Sequence, residues 1–188
     1  MKRIIIFASG SGSNAEQIIK HFKKTGTAEV THVFSNNAGA KVLRRAHKHD
    51  IKALHFDREA LYETNDVLHV IVDARPDLIV LAGFLWRFPK KILDVFPNKV
   101  INIHPALLPN YGGKGMYGSY VHEAIIRNKE QESGITIHYV NEQYDEGGII
   151  FQAKTTITSD DTPESLATKI HALEHEHFPL VLEQLLLK

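Results

Sequence analysis

The sequence predicts an α/β domain built on a mostly parallel central sheet flanked by helices. Three observations carry this. Short apolar, β-branched runs alternate with amphipathic segments of helical spacing, the pattern of strands joined by crossover helices. The strongest runs are continuous rather than alternating, as in strands buried on both faces. Turn-forming residues fall between the segments, and no repeat, low-complexity tract or linker breaks residues 1–188, which therefore read as a single domain.

Taken in order, RIIIFAS is a fully buried strand and GSGSN the loop after it. AEQIIKHFKK is an amphipathic helix, EVTHVFSN a second strand, AKVLRRAHKHD a helix and KALHFD a short strand. REALYETNDVLHVIVDAR reads as one long helix closed by Pro76. DLIVLAGFLW is the strongest strand signal, PKKILDVF a short helix opened by Pro89, and KVINIHP the next strand. A Gly-rich loop leads to a helix near YVHEAIIRNK. GITIHYV and GIIFQAKTTI are strands on either side of NEQYDEG. The closing DTPESLATKIHALEHEHFPLVLEQLLL is helical, with Asp161 or Thr162 as N-cap and Pro163 in the first turn.

Composition narrows the function. The chain has 188 residues, enough for a real core, and is 43% hydrophobic and 23% charged. Twenty-two basic and 22 acidic residues cancel. That argues against a general nucleic-acid binder, which carries a basic excess. With no cysteine, disulfides, thiolate metal sites and cysteine nucleophiles are excluded, and a cytoplasmic location is expected. No apolar run approaches the roughly 20 residues of a membrane helix. The start, MKRIIIFASG, has too short an apolar stretch for a signal peptide and reads as the first strand.

In open α/β sheets, ligands bind outside the carboxyl ends of the strands. Two motifs fall there. SGSGSN, Ser9 to Asn14, joins a strand to a helix. Its glycines let the backbone approach a ligand, and the amides at the helix start favour an anion. It lacks the third Gly of the dinucleotide fingerprint and the Gly-Lys-Ser/Thr of a P-loop, so a phosphomonoester fits better than NAD or ATP. A tight turn without ligand is the plain alternative. In VINIHPALLPNY, Asn102 and His104 lie two apart and project from the same strand face. An amide can donate to an oxyanion, and an imidazole can move a proton near neutral pH. Asp145, in YDEGG, is a candidate to orient the histidine, though Asp-x-Gly is also common in turns.

NIHPALLP, with its Asn and His two apart and Leu-Leu-Pro following, resembles the signature of the formyltetrahydrofolate-dependent formyltransferases. Asp145 to Gly147 resembles their third catalytic position. SGSGSN, FSNNAGA, LAGFLW and LEHEHFPL extend the likeness over nearly the whole chain, toward the members that act in purine (IMP) biosynthesis. The resemblance implies a Rossmann-like formyltransferase fold with antiparallel strands near the C-terminal half. It also implies transfer of the formyl group of 10-formyltetrahydrofolate to the amine of glycinamide ribonucleotide. Both substrates are small molecules. The resemblance further implies no metal, nucleic acid or membrane partner, and a monomer or weak homodimer is expected.

Carried across by position, Asn102 would hold the formyl oxygen as it becomes an oxyanion. Protonated His104 would serve the departing nitrogen. Asp145 would pair with His104 and raise its pKa. Gly12, Ser13 and Asn14 match phosphate-binding positions. Glu174 matches the acid that holds the glycinamide end, with His171 one turn earlier. Leu85, Trp86, Arg87 and Phe88 match the segment lining the pterin pocket, although other members commonly have Arg and a small aliphatic where Trp86 and Arg87 stand. Arg58 matches a basic residue near the folate glutamate tail. His171 and His175, at i and i+4, also form a possible metal pair, but the pattern is not His-Glu-x-x-His and a third ligand would have to come from afar. Competing readings are a formyltetrahydrofolate hydrolase, a sugar-nucleotide formyltransferase, or a non-catalytic nucleotide-phosphate binding module.

Overall fold

A computed structural model describes residues 1–188. Seven strands form one sheet in the order β3-β2-β1-β4-β5-β6-β7. Strands β1 (Lys2–Phe7), β2 (Ala28–Ser35), β3 (Lys52–His55), β4 (Leu78–Leu81) and β5 (Val100–His104) run parallel. The last two, β6 (Glu132–Tyr139) and β7 (Ile149–Thr156), are antiparallel. The sheet is thus mostly parallel, with antiparallel strands in the C-terminal half.

Strand alternation divides the core. Ile4 and Ile6 of β1 pack on one side of the sheet with Ile18 and Phe22 of α1 (Ser13–Thr25), Val42 of α2 (Lys41–Lys48), Val121 of α5 (Ser119–Arg127) and Phe178 of α6 (Pro163–Leu186). Ile5 and Phe7 pack on the other with Val67 and Ile71 of α3 (Asp66–Ala74) and Ile92 of α4 (Lys90–Val95). Phe7 is the hub of that second layer, stacked on Phe34 at 4.7 Å and met edge-on by Phe88 at 5.2 Å. Truncating a buried phenylalanine of this kind to alanine costs about 3–5 kcal/mol.

Two expectations are corrected. The long helix over residues 58–75 is two pieces: a π-helical turn, Glu59–Glu63, and then α3 from Asp66. Thr64 is extended between them (φ −91°, ψ −179°). Its hydroxyl accepts from the Asp66 N–H at 3.3 Å, and its carbonyl accepts from Lys91. A local side-chain acceptor competes here with helical continuation. The strand over residues 77–86 is only Leu78–Leu81, and Gly83 turns the chain out at φ +77°. Residues 82–88 therefore form a loop rather than a strand end. The N-cap of α6 is Thr162, in a reciprocal capping box with Ser165.

Candidate active site

The sheet order reverses between β1 and β4, and a cleft of about 490 Å³ opens at the carboxyl ends of those strands. Its walls are the loop after β1, the loop after β4, the end of β5, the Gly-rich loop before α5, the β6–β7 connection and one face of α6.

The Gly12–Asn14 turn forms one end. Gly12 is the N-cap of α1 at φ +74° and has no side chain to cap the first amides, which stay open to an anion. A β-carbon on Gly12 would lie 2.4 Å from Val42 Cγ2, so both the conformation and the close approach of α2 require glycine. Asn14 Nδ2 donates to Glu174 Oε2 at 2.9 Å, while Asn14 Oδ1 is buried without a partner. Glu174 falls in the row Leu166, Ile170, Glu174, Phe178, Leu182 of α6, a carboxylate set into an otherwise apolar buried stripe. Burial pushes its carboxyl above the ordinary value, against the Asn14 hydrogen bond and the His171 charge. His171 also lines the cleft, and its ring stacks on His175 with centroids 6.3 Å apart. No group of three or more His, Asp or Glu side chains stands at metal-holding spacing.

At the other end, Asn102, His104 and Asp145 come together. Asp145 sits at φ +57° in the β6–β7 connection. Gly147, two residues on, passes so close to β6 that a β-carbon would lie 1.6 Å from the Tyr139 carbonyl. The Asp-x-Gly spacing thus presses the connection against the sheet beside β5. Asp145 Oδ2 accepts from the Gly113 N–H at 3.0 Å and lies 3.5 Å from His104 Nδ1. Its Oδ1 lies 3.5 Å from Asn102 Nδ2 and 3.6 Å from His138 Nε2. Burial raises the carboxyl, but these neighbours outweigh it and hold Asp145 below the ordinary carboxylate value.

His104 is 3% exposed. Its Nε2 faces the Tyr111 carbonyl at 2.7 Å, which can only accept, so that nitrogen carries a proton. The expected rise in its pKa is not what the site produces. Burial pushes the ring down. The Asp145 charge and the Tyr111 carbonyl push it up, His138 pushes it down further, and the net direction is below the ordinary value. The ring is therefore mainly neutral at neutral pH.

Two further histidines, neither among the site residues expected from the sequence, also line the cleft. His138, 1% exposed on β6, is the register partner of Asn102 and meets its Nδ2 at 3.1 Å through Nε2. Its Nδ1 faces the Tyr139 carbonyl at 2.8 Å. His122 of α5 lines the cleft, 4% exposed, with Nδ1 buried and unpartnered. Burial lowers its pKa, and the charges of His171 and His104 add to the effect. In sequence each is one more histidine on a buried face. Only the sheet register, or the orphaned nitrogen, marks it out.

The segment after β4 lines the cleft from Leu81 to Phe88. Leu85 is half-exposed, and its N–H donates to Ser9 Oγ at 3.0 Å. Trp86 meets Phe56 edge-on at 6.2 Å while also lining the cleft. Arg87 reaches across to the Glu142 carbonyl, 2.8 Å from Nε, and ties this loop to the β6–β7 connection. Phe88 is mainly core. Arg58 stands apart from the cleft lining, its guanidinium 5.1 Å from the Trp86 ring and 5.2 Å from that of Tyr62.

Residues 2–182 match the family described as formyl transferase. The chain is 35% identical over 182 residues to the chloroplastic phosphoribosylglycinamide formyltransferase of Arabidopsis thaliana, covering 93% of this chain and 62% of that one. It therefore spans less than two thirds of that plant relative. The phosphoribosylglycinamide formyltransferase of Escherichia coli is 34% identical over 187 residues, covering 95% of this chain and 84% of its own. The crystal structure of the enzyme of that name from Bacillus halodurans superposes with a TM-score of 0.88 at 38% identity, covering 98% of this chain and 95% of that one.

Proposed function

From the premise that the chain belongs to the formyl transferase family, we propose that it transfers the formyl group of 10-formyltetrahydrofolate to the amine of glycinamide ribonucleotide, in purine biosynthesis. The observation that carries this reading is one cleft with two unlike ends. An open helix N-terminus at Gly12–Asn14 suits a phosphate. Some way from it, an amide and an imidazole surround one ionised carboxylate.

In this reading the ribonucleotide phosphate lies on the amides of Gly12 to Asn14. Glu174, His171 and the unpartnered His122 ring line the part of the cleft that takes the glycinamide end. The formyl-bearing folate enters between the loop of Leu85 to Phe88 and the β6–β7 connection. Arg87 braces that slot and Trp86 forms part of its wall. Arg58 serves the folate side through its stack on Trp86.

The amine nitrogen attacks the formyl carbon, and the carbonyl electron pair moves to oxygen. One Asn102 N–H is held by His138. The other makes only a 3.5 Å contact with Asp145, so it is the donor free to turn to the developing oxyanion. The attacking nitrogen must lose a proton and the departing folate nitrogen must gain one. Neutral His104 suits a carrier between them: it takes the proton at Nδ1, facing Asp145, and returns it as the carbon–nitrogen bond to the folate breaks. Asp145 stabilises the imidazolium that exists between the two transfers. No helix is long and apolar enough to cross a membrane.

The test follows deformylation of a chromogenic 10-formyl folate analogue by absorbance, with and without glycinamide ribonucleotide. The reading expects turnover only with both. Deformylation without any amine would mark a hydrolase, and silence with both substrates would overturn the reading.

A further inference from the structure

We propose that Tyr111 is a positioning residue for the proton carrier: its hydroxyl, stapled to Asn128 and Glu130, fixes the backbone carbonyl that holds the His104 ring. The inference rests on the reading of His104 given above. Tyr111 stands at φ +57°, in the left-handed region that residues with a β-carbon rarely adopt. The direction of its carbonyl is therefore not the chain's resting preference and has to be held. The phenol supplies the hold. Its O–H donates to Glu130 Oε1 at 2.6 Å, and its oxygen accepts from Asn128 Nδ2 at 2.9 Å. Both partners are exposed residues just past the end of α5. With the ring packed against the core and the hydroxyl pinned, the carbonyl meets His104 Nε2 at 2.7 Å.

Two residues on, the same stretch of backbone donates the Gly113 N–H to Asp145 Oδ2 at 3.0 Å. One anchored segment thus grips both members of the proton-carrying pair. It fixes the ring so that Nε2 is committed to the carbonyl and Nδ1 is left toward Asp145. The carbonyl also favours the charged ring. The other titratable groups acting on His104 are Asp145 of the β6–β7 connection and His138 of β6, with His122 of α5 beyond. The substitutions below leave all three in place.

The experiment measures formyl transfer against pH for the full chain and for Tyr111→Phe, Glu130→Ala and Glu130→Gln. Losing the staple should lower kcat about tenfold in Tyr111→Phe, and in the same direction in Glu130→Ala. The KM for each substrate should stay within about twofold, since ground-state binding is untouched. The acid limb of kcat/KM should move to lower pH, because the ring loses an acceptor that favours its charged form. Glu130→Gln, whose amide oxygen still accepts the phenol, should restore most of the rate. The proposal is overturned if Tyr111→Phe and Glu130→Ala match the unaltered chain in kcat and pH profile. It is equally overturned if KM rises in step with the loss of kcat and Glu130→Gln is no better than Glu130→Ala. An unaltered chain that transfers no formyl group would remove the functional reading itself. Transfer that survives His104→Ala would remove the role of His104, and the proposal with it.

Discussion

Asn102 on β5 and His138 on β6 are register partners, and their side chains meet at 3.1 Å across the antiparallel pair. The antiparallel turn of the sheet at β6 is what makes this possible: it brings a buried imidazole alongside the amide and holds one of its two N–H bonds. The amide is thereby oriented before any substrate arrives, and preorganised donors of this kind stabilise a developing oxyanion strongly.

Asn102→Ala should therefore lower kcat by about 10²–10³, the loss typical of one oxyanion donor. Binding of glycinamide ribonucleotide, read by calorimetry, should be unchanged, because the Gly12–Asn14 end is untouched. His138→Leu should lower kcat less, since it leaves the donor but frees its orientation. An Asn102→Ala variant with full turnover would contradict the role.

The pH profile follows from the direction of the His104 shift. Burial and His138 outweigh Asp145 and the Tyr111 carbonyl, so the ring loses its proton below the ordinary value of 6.5. As a proton acceptor it is competent above that point. Activity should therefore fall as pH drops through a midpoint below 6.5 in kcat/KM, which reports the free enzyme. Asp145→Asn removes the charge that favours the imidazolium, so the limb should shift to still lower pH as kcat falls. A limb at the same pH in Asp145→Asn would contradict the pairing.

Gly12→Ala should damage stability and phosphate binding together. The φ of +74° costs a residue with a β-carbon roughly 1–2 kcal/mol, and the 2.4 Å approach to Val42 Cγ2 adds a clash that must push α1 from α2. Thermal unfolding should shift down, and inorganic phosphate should lose potency as a competitor of the ribonucleotide. Unchanged competition by phosphate would move the anion site elsewhere.

Glu174→Gln should separate stability from function. The folded-state pKa of Glu174 is raised by burial, so its ionisation disfavours the folded state as pH rises past the ordinary value of 4.5. At neutral pH the Gln variant should unfold at a higher temperature, by roughly 2–4 °C for each kcal/mol recovered. The gain should vanish in acid, where the wild-type carboxyl is protonated, while the KM for the ribonucleotide rises. A variant less stable at neutral pH would contradict the buried-charge account.

Much of the site was legible because it lies on strand ends, where period-two spacing fixes which residues share a face. Asn102 and His104 follow from that spacing. Asp145 is in sequence only a candidate beside a plain turn residue, and the close approach of Gly147 to Tyr139 that sets it beside His104 is visible only in the structure. What spacing alone does not reveal depends on neighbours distant in sequence. His138 gains its meaning from the β5–β6 register, and His122 from an orphaned nitrogen on a helix that otherwise reads as an amphipathic core element. The break at Thr64 escaped because the apolar rhythm runs straight through it, while a threonine hydroxyl and Lys91 satisfy the interrupted backbone. The rise expected for His104 failed because a charge partner is visible in sequence and the depth of burial is not.

The most direct test of the central claim supplies 10-formyltetrahydrofolate labelled with carbon-13 at the formyl group, together with glycinamide ribonucleotide, and follows the label by nuclear magnetic resonance. The account predicts that the label appears on the glycinamide nitrogen, in proportion to the tetrahydrofolate released. Label recovered as free formate, or left on the folate while both substrates are bound, would contradict it.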